Sequence, residues 1–318
     1  MKSLFNRIML SAALLVTGLN APAADTDTIP NPIAPALNVE IVLNQQEIEV
    51  NVVSTAPVAG QFGLIGALVG AAVDTANAKA AEKRVVEIRN MLVDYNFNQA
   101  IEDAIKTAVA TPGISPSPTV ITRKTAWDAM AEQGNPADGQ AQTVLRLIPR
   151  YTIASNFESI TVSMQALYMQ RTVKDSGKIK ESSIFSRNYS FEFPLQEMTG
   201  SNADADAGRW VAIGKDGITV LLNQGVTQIG EMLAYDFSTE GRALAMQATG
   251  GKKTEFKGKQ YKGTVLRETP EFIWVANGKI KARSIIGVQP VADAVPAVAA
   301  EVPAQTPASE AIIEPATK

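Results

Sequence analysis

The sequence predicts an α+β protein: an antiparallel sheet with helices on one face, plus a small C-terminal β unit. Three observations carry this. Three long segments between residues 143 and 193 alternate apolar and polar side chains at the strand period. Long helical stripes flank them on both sides in sequence. A shorter group of strand-like segments follows between 263 and 286.

Taken in order, the chain of 318 residues begins with an export signal. Met1–Arg7 is basic, Ile8–Leu19 is an apolar run of 12 residues, and Ala21-Pro-Ala23 is a small-x-small cleavage site. The apolar run is too short to span a bilayer. No Cys follows it, so lipidation there is not expected. Cleavage after Ala23 leaves 295 residues, with 27 basic against 32 acidic side chains. That balance gives no general attraction to nucleic acid, which is not an expected partner. Residues 24–37 carry three prolines and read as an extended lead-in. Residues 38–249 form the expected α+β domain, 250–289 the small β unit, and 290–318 an Ala/Pro-rich tail without a packing pattern.

Within the domain, Asn38–Leu43 and Glu47–Val53 are strand-like, and the joint at 44–46 suggests a hairpin. A long helix is expected over 62–95, about 50 Å at 1.5 Å per residue. Its glycine-rich start, Gly60 to Val73, is the least generic stretch of the chain. Gly63, Gly66 and Gly70 continue the face that later carries Ala81, Val85, Ile88 and Leu92, so they are expected to pack closely on the protein's own body. Leu64, Ile65, Leu68 and Val69 lie on the opposite side and form the candidate interaction face. Gly66-x-x-x-Gly70 matches a close-packing helix motif. The 24 residues from Val50 to Val73 carry no charge, which leaves shallow membrane contact open.

A short helix with Phe97, Ile101, Ile105 and Val109 in register follows, then a short strand near 119–122 and a helical turn or two around Trp127. The strands 143–154, 159–169 and 183–193 read as an antiparallel meander. A helix over 216–236 has Ile218, Leu221, Leu222, Ile229, Met232 and Leu233 as its stripe, weakened by Gly225. Asn277-Gly278 is the strongest turn signal in the chain.

The chain has no Cys and no His. Thiol and histidine chemistry, and the usual zinc sites, are therefore excluded, and no cofactor or catalytic residue is expected. Asn202, Asp204 and Asp206 alternate as in the start of a calcium loop, but Ala207 and Ile213 stand where that loop needs Gly and Glu. They read instead as a polar loop before Trp210. Lys252, Lys253, Lys257, Lys259 and Lys262 make a candidate anion-binding patch. Carboxylates alone could serve glycoside hydrolysis, but no pair is fixed by spacing.

The order β-hairpin, long helix, short helix, strand meander, long helix, over Val39 to Phe237, resembles the α/β domain of bacterial envelope assembly lipoproteins of the curli-secretion and penicillin-binding-protein-activator type. The resemblance rests on layout, and the chain departs from it in lacking the lipidated Cys. It implies a non-enzymatic scaffold or assembly factor, periplasmic or secreted, that associates with itself or with an envelope partner. A membrane-active or pore-forming protein using the glycine-rich stretch is the alternative reading, and a carboxylate-based glycan-acting enzyme the third.

Overall fold

The computed structural model describes residues 29–51, 75–134, 136, 140–196, 202–247, 253–279 and 282–292. The glycine-rich stretch, with Gly63, Gly66, Gly70, Leu64, Ile65, Leu68 and Val69, lies outside them, as do the segments expected to be an export signal and a tail.

The centre of the sheet is the meander that alternation predicts: β4 (Ala141–Ala154), β5 (Ser159–Val173) and β6 (Ile179–Pro194), all antiparallel neighbours. Every second residue turns to one side. Leu145, Leu147, Tyr151, Ile153, Ile160, Val162, Met164, Tyr189, Phe191 and Phe193 are fully buried there in one continuous core. Each such side chain contributes about 1.5–3 kcal/mol over exposure.

The sheet is mixed rather than antiparallel, because both flanks of the meander pair in parallel. On one flank β1 (Ala36–Val42) runs parallel to β4, and β3 (Ser117–Arg123) runs parallel to β1. The hairpin expected at 44–46 does not form. β2 (Glu49–Asn51) continues in the direction of β1 and pairs with β4 further along. Gln45 explains the junction. Its side-chain amide donates to the Tyr151 carbonyl at 2.6 Å and accepts from the Tyr151 N–H at 2.9 Å. A side chain thus stands in for the missing ladder residue between β1 and β2.

On the other flank, the C-terminal strands are not a separate unit. β11 (Ala282–Val288) pairs in parallel with β6, β10 (Ile273–Lys279) is antiparallel to β11, and β9 (Thr264–Glu268) forms the edge. The nine described strands run in the order β3-β1-β4-β5-β6-β11-β10-β9, with β2 beside β4. Only β7 (Lys253–Phe256) and β8 (Lys259–Lys262) stand apart as a two-stranded ribbon. Asn277-Gly278 is not the turn. β10 runs through it to Lys279, which pairs with Ala282, and Gly278 takes φ +92° inside the strand. A Cβ there would sit 2.2 Å from the Ala282 carbonyl oxygen, so the glycine serves close approach of two backbones.

Three helices pack on the core side. α1 (Thr75–Met91) buries Ala81, Val85 and Ile88, with Leu92 just past its end, as the periodicity requires. It stops four residues before the expected end. α2 (Phe97–Val109) is capped by Asn96 and buries the predicted Phe97, Ile101, Ile105 and Val109. α4 (Ala203–Asp236) starts well before 216: the segment read as a polar loop is a helix, joined across a break at Gly214, φ +75°. Asn202 caps it by accepting from the Ala205 N–H, and Asp204 and Asp206 lie in its first turn, where negative charge suits the helix end. Gly225 is there for contact. A Cβ would fall 2.6 Å from Val162 Cγ2 and 3.1 Å from the Phe193 ring. α5 (Thr239–Gln247) follows α4.

The opposite face is covered at its two ends. α3 (Ala126–Gln133) packs by β1 and β3. The ribbon β7–β8 packs Phe256 and Tyr261 on Ile273, Val275, Ile286 and Val288. No helix among the described residues is long and apolar enough to cross a membrane.

Candidate functional site

The most distinctive surface is the edge formed by β3 and α3. Parity fixes how β3 is held. Thr122 donates through its hydroxyl to Glu102 of α2 at 2.8 Å, on the core side. Arg123 forms an ion pair with Glu132 of α3, on the opposite side. The strand is clamped from both faces, while its outer edge has no described neighbour.

The outward groups can be named. The Arg123 carbonyl accepts from the Leu43 N–H, so odd-numbered residues of β3 direct their backbone groups towards β1. Pro118, Val120 and Thr122 therefore direct theirs outward. Pro118 has no N–H to offer, a common device on an edge strand. The Thr122 carbonyl accepts from the chain's own Arg123 guanidinium. What remains without a partner among the described residues is a short ladder: the Pro118 carbonyl, the Val120 N–H and carbonyl, and the Thr122 N–H.

Two turns of helix after β3 pack on β1 and β3, and the first turn of that helix, α3, carries Trp127, 71% exposed. Its helix is rigidly placed. Thr125 caps it, accepting from the Asp128 N–H at 3.1 Å. Ala129 and Met130 are buried beneath it. At its far end Gln133 accepts from Arg171 at 2.9 Å. Arg171 is fully buried and belongs to a charged network on the same face of the sheet. Glu40 of β1 accepts from Arg171 at 2.6 Å and from Arg146 at 2.7 Å, and Glu181 of β6 accepts from both arginines. Two arginines and two glutamates balance in charge. Burial raises the Glu181 pKa, but the hydrogen bonds from Arg146 and Arg171 outweigh it and hold the carboxyl below its ordinary value.

An exposed Trp on a capped helix that packs on an edge strand is a typical anchor for a protein partner. Sequence reading found both elements but not their adjacency. The available signal was a lone Trp in a short helix flanked by Arg123, Lys124 and Asp128, where no core stripe requires it.

The other sequence-derived sites fare differently. Lys252 lies outside the described residues, and the remaining lysines disperse over the ribbon. Lys257 takes the turn, φ +46°, with its ammonium 5.6 Å above the Phe256 ring. Lys259 shares the inner face with Phe256 and Tyr261, where its charge acts on Glu192 of β6. Lys253 and Lys262 oppose each other on the outer face. The spacing of a concentrated patch is lost because strand alternation sends neighbouring lysines to opposite sides. The Asn202–Asp206 motif is likewise spent locally: Asp204 pairs with Arg84 of α1, and Asp206 with Arg209 at 3.2 Å. No group of three or more potential metal ligands occurs among the described residues.

Two grooves accompany α1. One, of about 570 Å³, lies between α1 and the start of α4, with Ala80, Ala207 and Gly208 between the charges of Lys83, Arg84, Glu87 and Asp204. The other, of about 530 Å³, is lined by Glu47, Ile48, Arg89, Asn90 and Tyr151 among others. Burial raises the Tyr151 hydroxyl, helped by the nearby Glu47 and Glu49 carboxylates, to a pKa of about 12, so it is a neutral wall of that groove.

No family model matches the sequence, and no curated protein matches it. Among solved structures, a chain described only as an uncharacterized protein aligns at 11% identity and a TM-score of 0.22, over 66% of this chain and 96% of its own. A likeness of that size decides nothing about fold or function.

Proposed function

We propose that this is an exported, non-enzymatic cell-envelope protein that acts as a scaffold or assembly factor, docking an extended segment of an envelope protein along the β3 edge with Trp127 as its anchor. The observation that carries it is Trp127, 71% exposed on a helix fixed beside an open, clamped strand edge. The partner strand adds to the sheet through the four backbone groups of Pro118, Val120 and Thr122 that have no partner among the described residues, and the indole covers its side chains. The basic, apolar and small-residue pattern of the first 23 residues supports export. The non-enzymatic reading is supported by how carboxylates are used. Glu40, Glu181 and Asp236 are each held by arginines, which suits a frame better than an acid–base pair.

The test is a photo-crosslinking amino acid at Thr119, which shares the α3 face of β3, in the host that makes the protein. A discrete adduct is expected. Val120→Pro should abolish it without unfolding the chain, because it deletes an N–H that has no acceptor among the described residues and keeps an apolar side chain against the core. Trp127→Ser should weaken the interaction by about 30-fold or more, the measure of a lost aromatic anchor. Size-exclusion chromatography with light scattering then tells a second copy from a different partner. A strict monomer with no adduct at Thr119 would overturn the proposal.

A further inference from the structure

The groove between the end of α1 and the β1–β2 junction contains a hydroxyl that the fold does not use. Glu47 and Ile48 line it from the junction, Arg89, Asn90 and Val93 from the helix end, and Tyr151 from β4. Its volume, about 530 Å³, is that of a small-ligand site. The Tyr151 ring is sealed. Phe97 stacks on it with centroids 4.3 Å apart and Tyr95 meets it edge-on at 6.4 Å, so that the residue as a whole is 1% exposed. The hydroxyl behaves differently. It has no hydrogen-bond partner among the described residues, yet it is not one of the polar atoms closed off from solvent. It therefore opens into the groove that Tyr151 lines. A buried tyrosine ordinarily finds a partner for its hydroxyl, and this oxygen has both its donor and its acceptor capacity to offer.

The two charged side chains of the wall are not equivalent. Arg89 is spent: its Nε donates to the Ile48 carbonyl at 3.0 Å, and its Nη1 and Nη2 donate to Glu82 at 2.6 and 3.3 Å. Glu47 is available. Its side chain is 64% exposed, lies 3.5 Å from Arg89 Nε and makes no hydrogen bond among the described residues. Glu49 also acts on the Tyr151 hydroxyl, but Arg150 holds it at 3.0 Å. With Arg89 matched by Glu82 and Arg150 by Glu49, Glu47 leaves the groove one negative charge in excess. Burial and the two carboxylates keep the hydroxyl neutral, its pKa raised to about 12, so it adds no charge of its own. Val93, 79% exposed, supplies an apolar lip. An anion finds no unoccupied cation here. A divalent metal ion finds one carboxylate and one phenol where it needs about six oxygens. A cation with a few N–H donors on an apolar stem matches what is present.

We propose that this groove binds a primary ammonium group, which donates one hydrogen bond to the Glu47 carboxylate and another to the Tyr151 hydroxyl oxygen while its alkyl stem lies on Val93. The ammonium is that of a lysine side chain or of a free diamine. The site shares no residue with the β3 edge, so each stands without the other.

The test is calorimetric titration of the purified protein at constant ionic strength with Nα-acetyl-lysine amide and with cadaverine, and with Nα,Nε-diacetyl-lysine amide as the uncharged control. Saturable binding of an amine is expected, and none of the control. Tighter binding of the lysine amide assigns the site to a polypeptide, and tighter binding of cadaverine to a free diamine; both support it. Glu47→Gln and Tyr151→Phe should each weaken binding about 10-fold or more, the measure of one hydrogen bond to a charged group. Both variants should melt like wild type, because neither removed group has a hydrogen bond in the fold to lose. Glu87→Gln, which lines the other groove, should bind like wild type and so separates the site from a general attraction to acidic surface. No binding of either amine, equal binding of the acetylated control, or wild-type affinity in the Glu47 and Tyr151 variants would overturn the site.

Discussion

Replacing Glu40 by Gln should be among the most damaging single-atom changes in this protein. Both carboxylate oxygens of Glu40 are used, at 2.6 Å to Arg171 and 2.7 Å to Arg146, and the residue is fully buried. The amide keeps the shape but presents an N–H₂ to one guanidinium and removes the charge that offsets the other. Arg171 is itself 0% exposed and then depends on Glu181, Gln133 and Gln142. Breaking a buried pair by removing one partner costs about 3–5 kcal/mol. At about 2–4 °C per kcal/mol for a domain of this size, that is roughly 6–20 °C in Tm. Glu181→Gln should cost much less, about 1–2 kcal/mol, because its side chain is 26% exposed and water can replace it.

The pH dependence has a definite sign. The folded Glu181 pKa lies below its ordinary value, so its contribution is complete above the unfolded carboxylate pKa of about 4.3 and is lost as pH falls through the folded value. Urea titrations of wild type, Glu40→Gln and Glu181→Gln between pH 3 and 7 measure all three quantities. Should Glu40→Gln lose less than about 1 kcal/mol, or no more than Glu181→Gln, the network would be a surface feature rather than the anchor of α3.

Three further outcomes concern packing and charge. Gly225→Ala should destabilise by about 1–3 kcal/mol in chemical denaturation, since its Cβ enters the Val162 and Phe193 side chains. Gly208→Ala meets nothing within 4 Å and should gain about 0.5–1 kcal/mol in the same assay. Glu192 beneath the ribbon is the opposite case to Glu181: burial raises its pKa above the ordinary 4.5 and the charge of Lys259 only partly offsets this. A raised folded pKa means that the ionised form weakens the fold above that value and that protonation relieves the strain. Glu192→Gln should therefore raise the Tm at pH 7, with a gain that shrinks as pH falls towards 4.5; a loss at pH 7 would show that Lys259 dominates.

Period and composition settled much of this protein without a structure. The three strands of the meander, the core faces of α1 and α2 and most of the α4 stripe were legible, because side-chain periods of 2 and 3.6 leave a direct trace in a one-dimensional sequence. The chemistry that is excluded was legible too, since absent Cys and His need no coordinates. Strand direction was not. Whether β1 turns back on β2 or both lie along β4 depends on one amide, that of Gln45, meeting the backbone of Tyr151, 106 residues away in sequence. The parallel pairing of β11 on β6, the break at Gly214 and the passage of β10 through Asn277-Gly278 are decisions of the same kind. The docking edge and the groove at Tyr151 also belong to the tertiary structure. Each joins residues distant in sequence, and local propensity carries no information about which hydroxyl will be left without a partner or which strand edge will be left open.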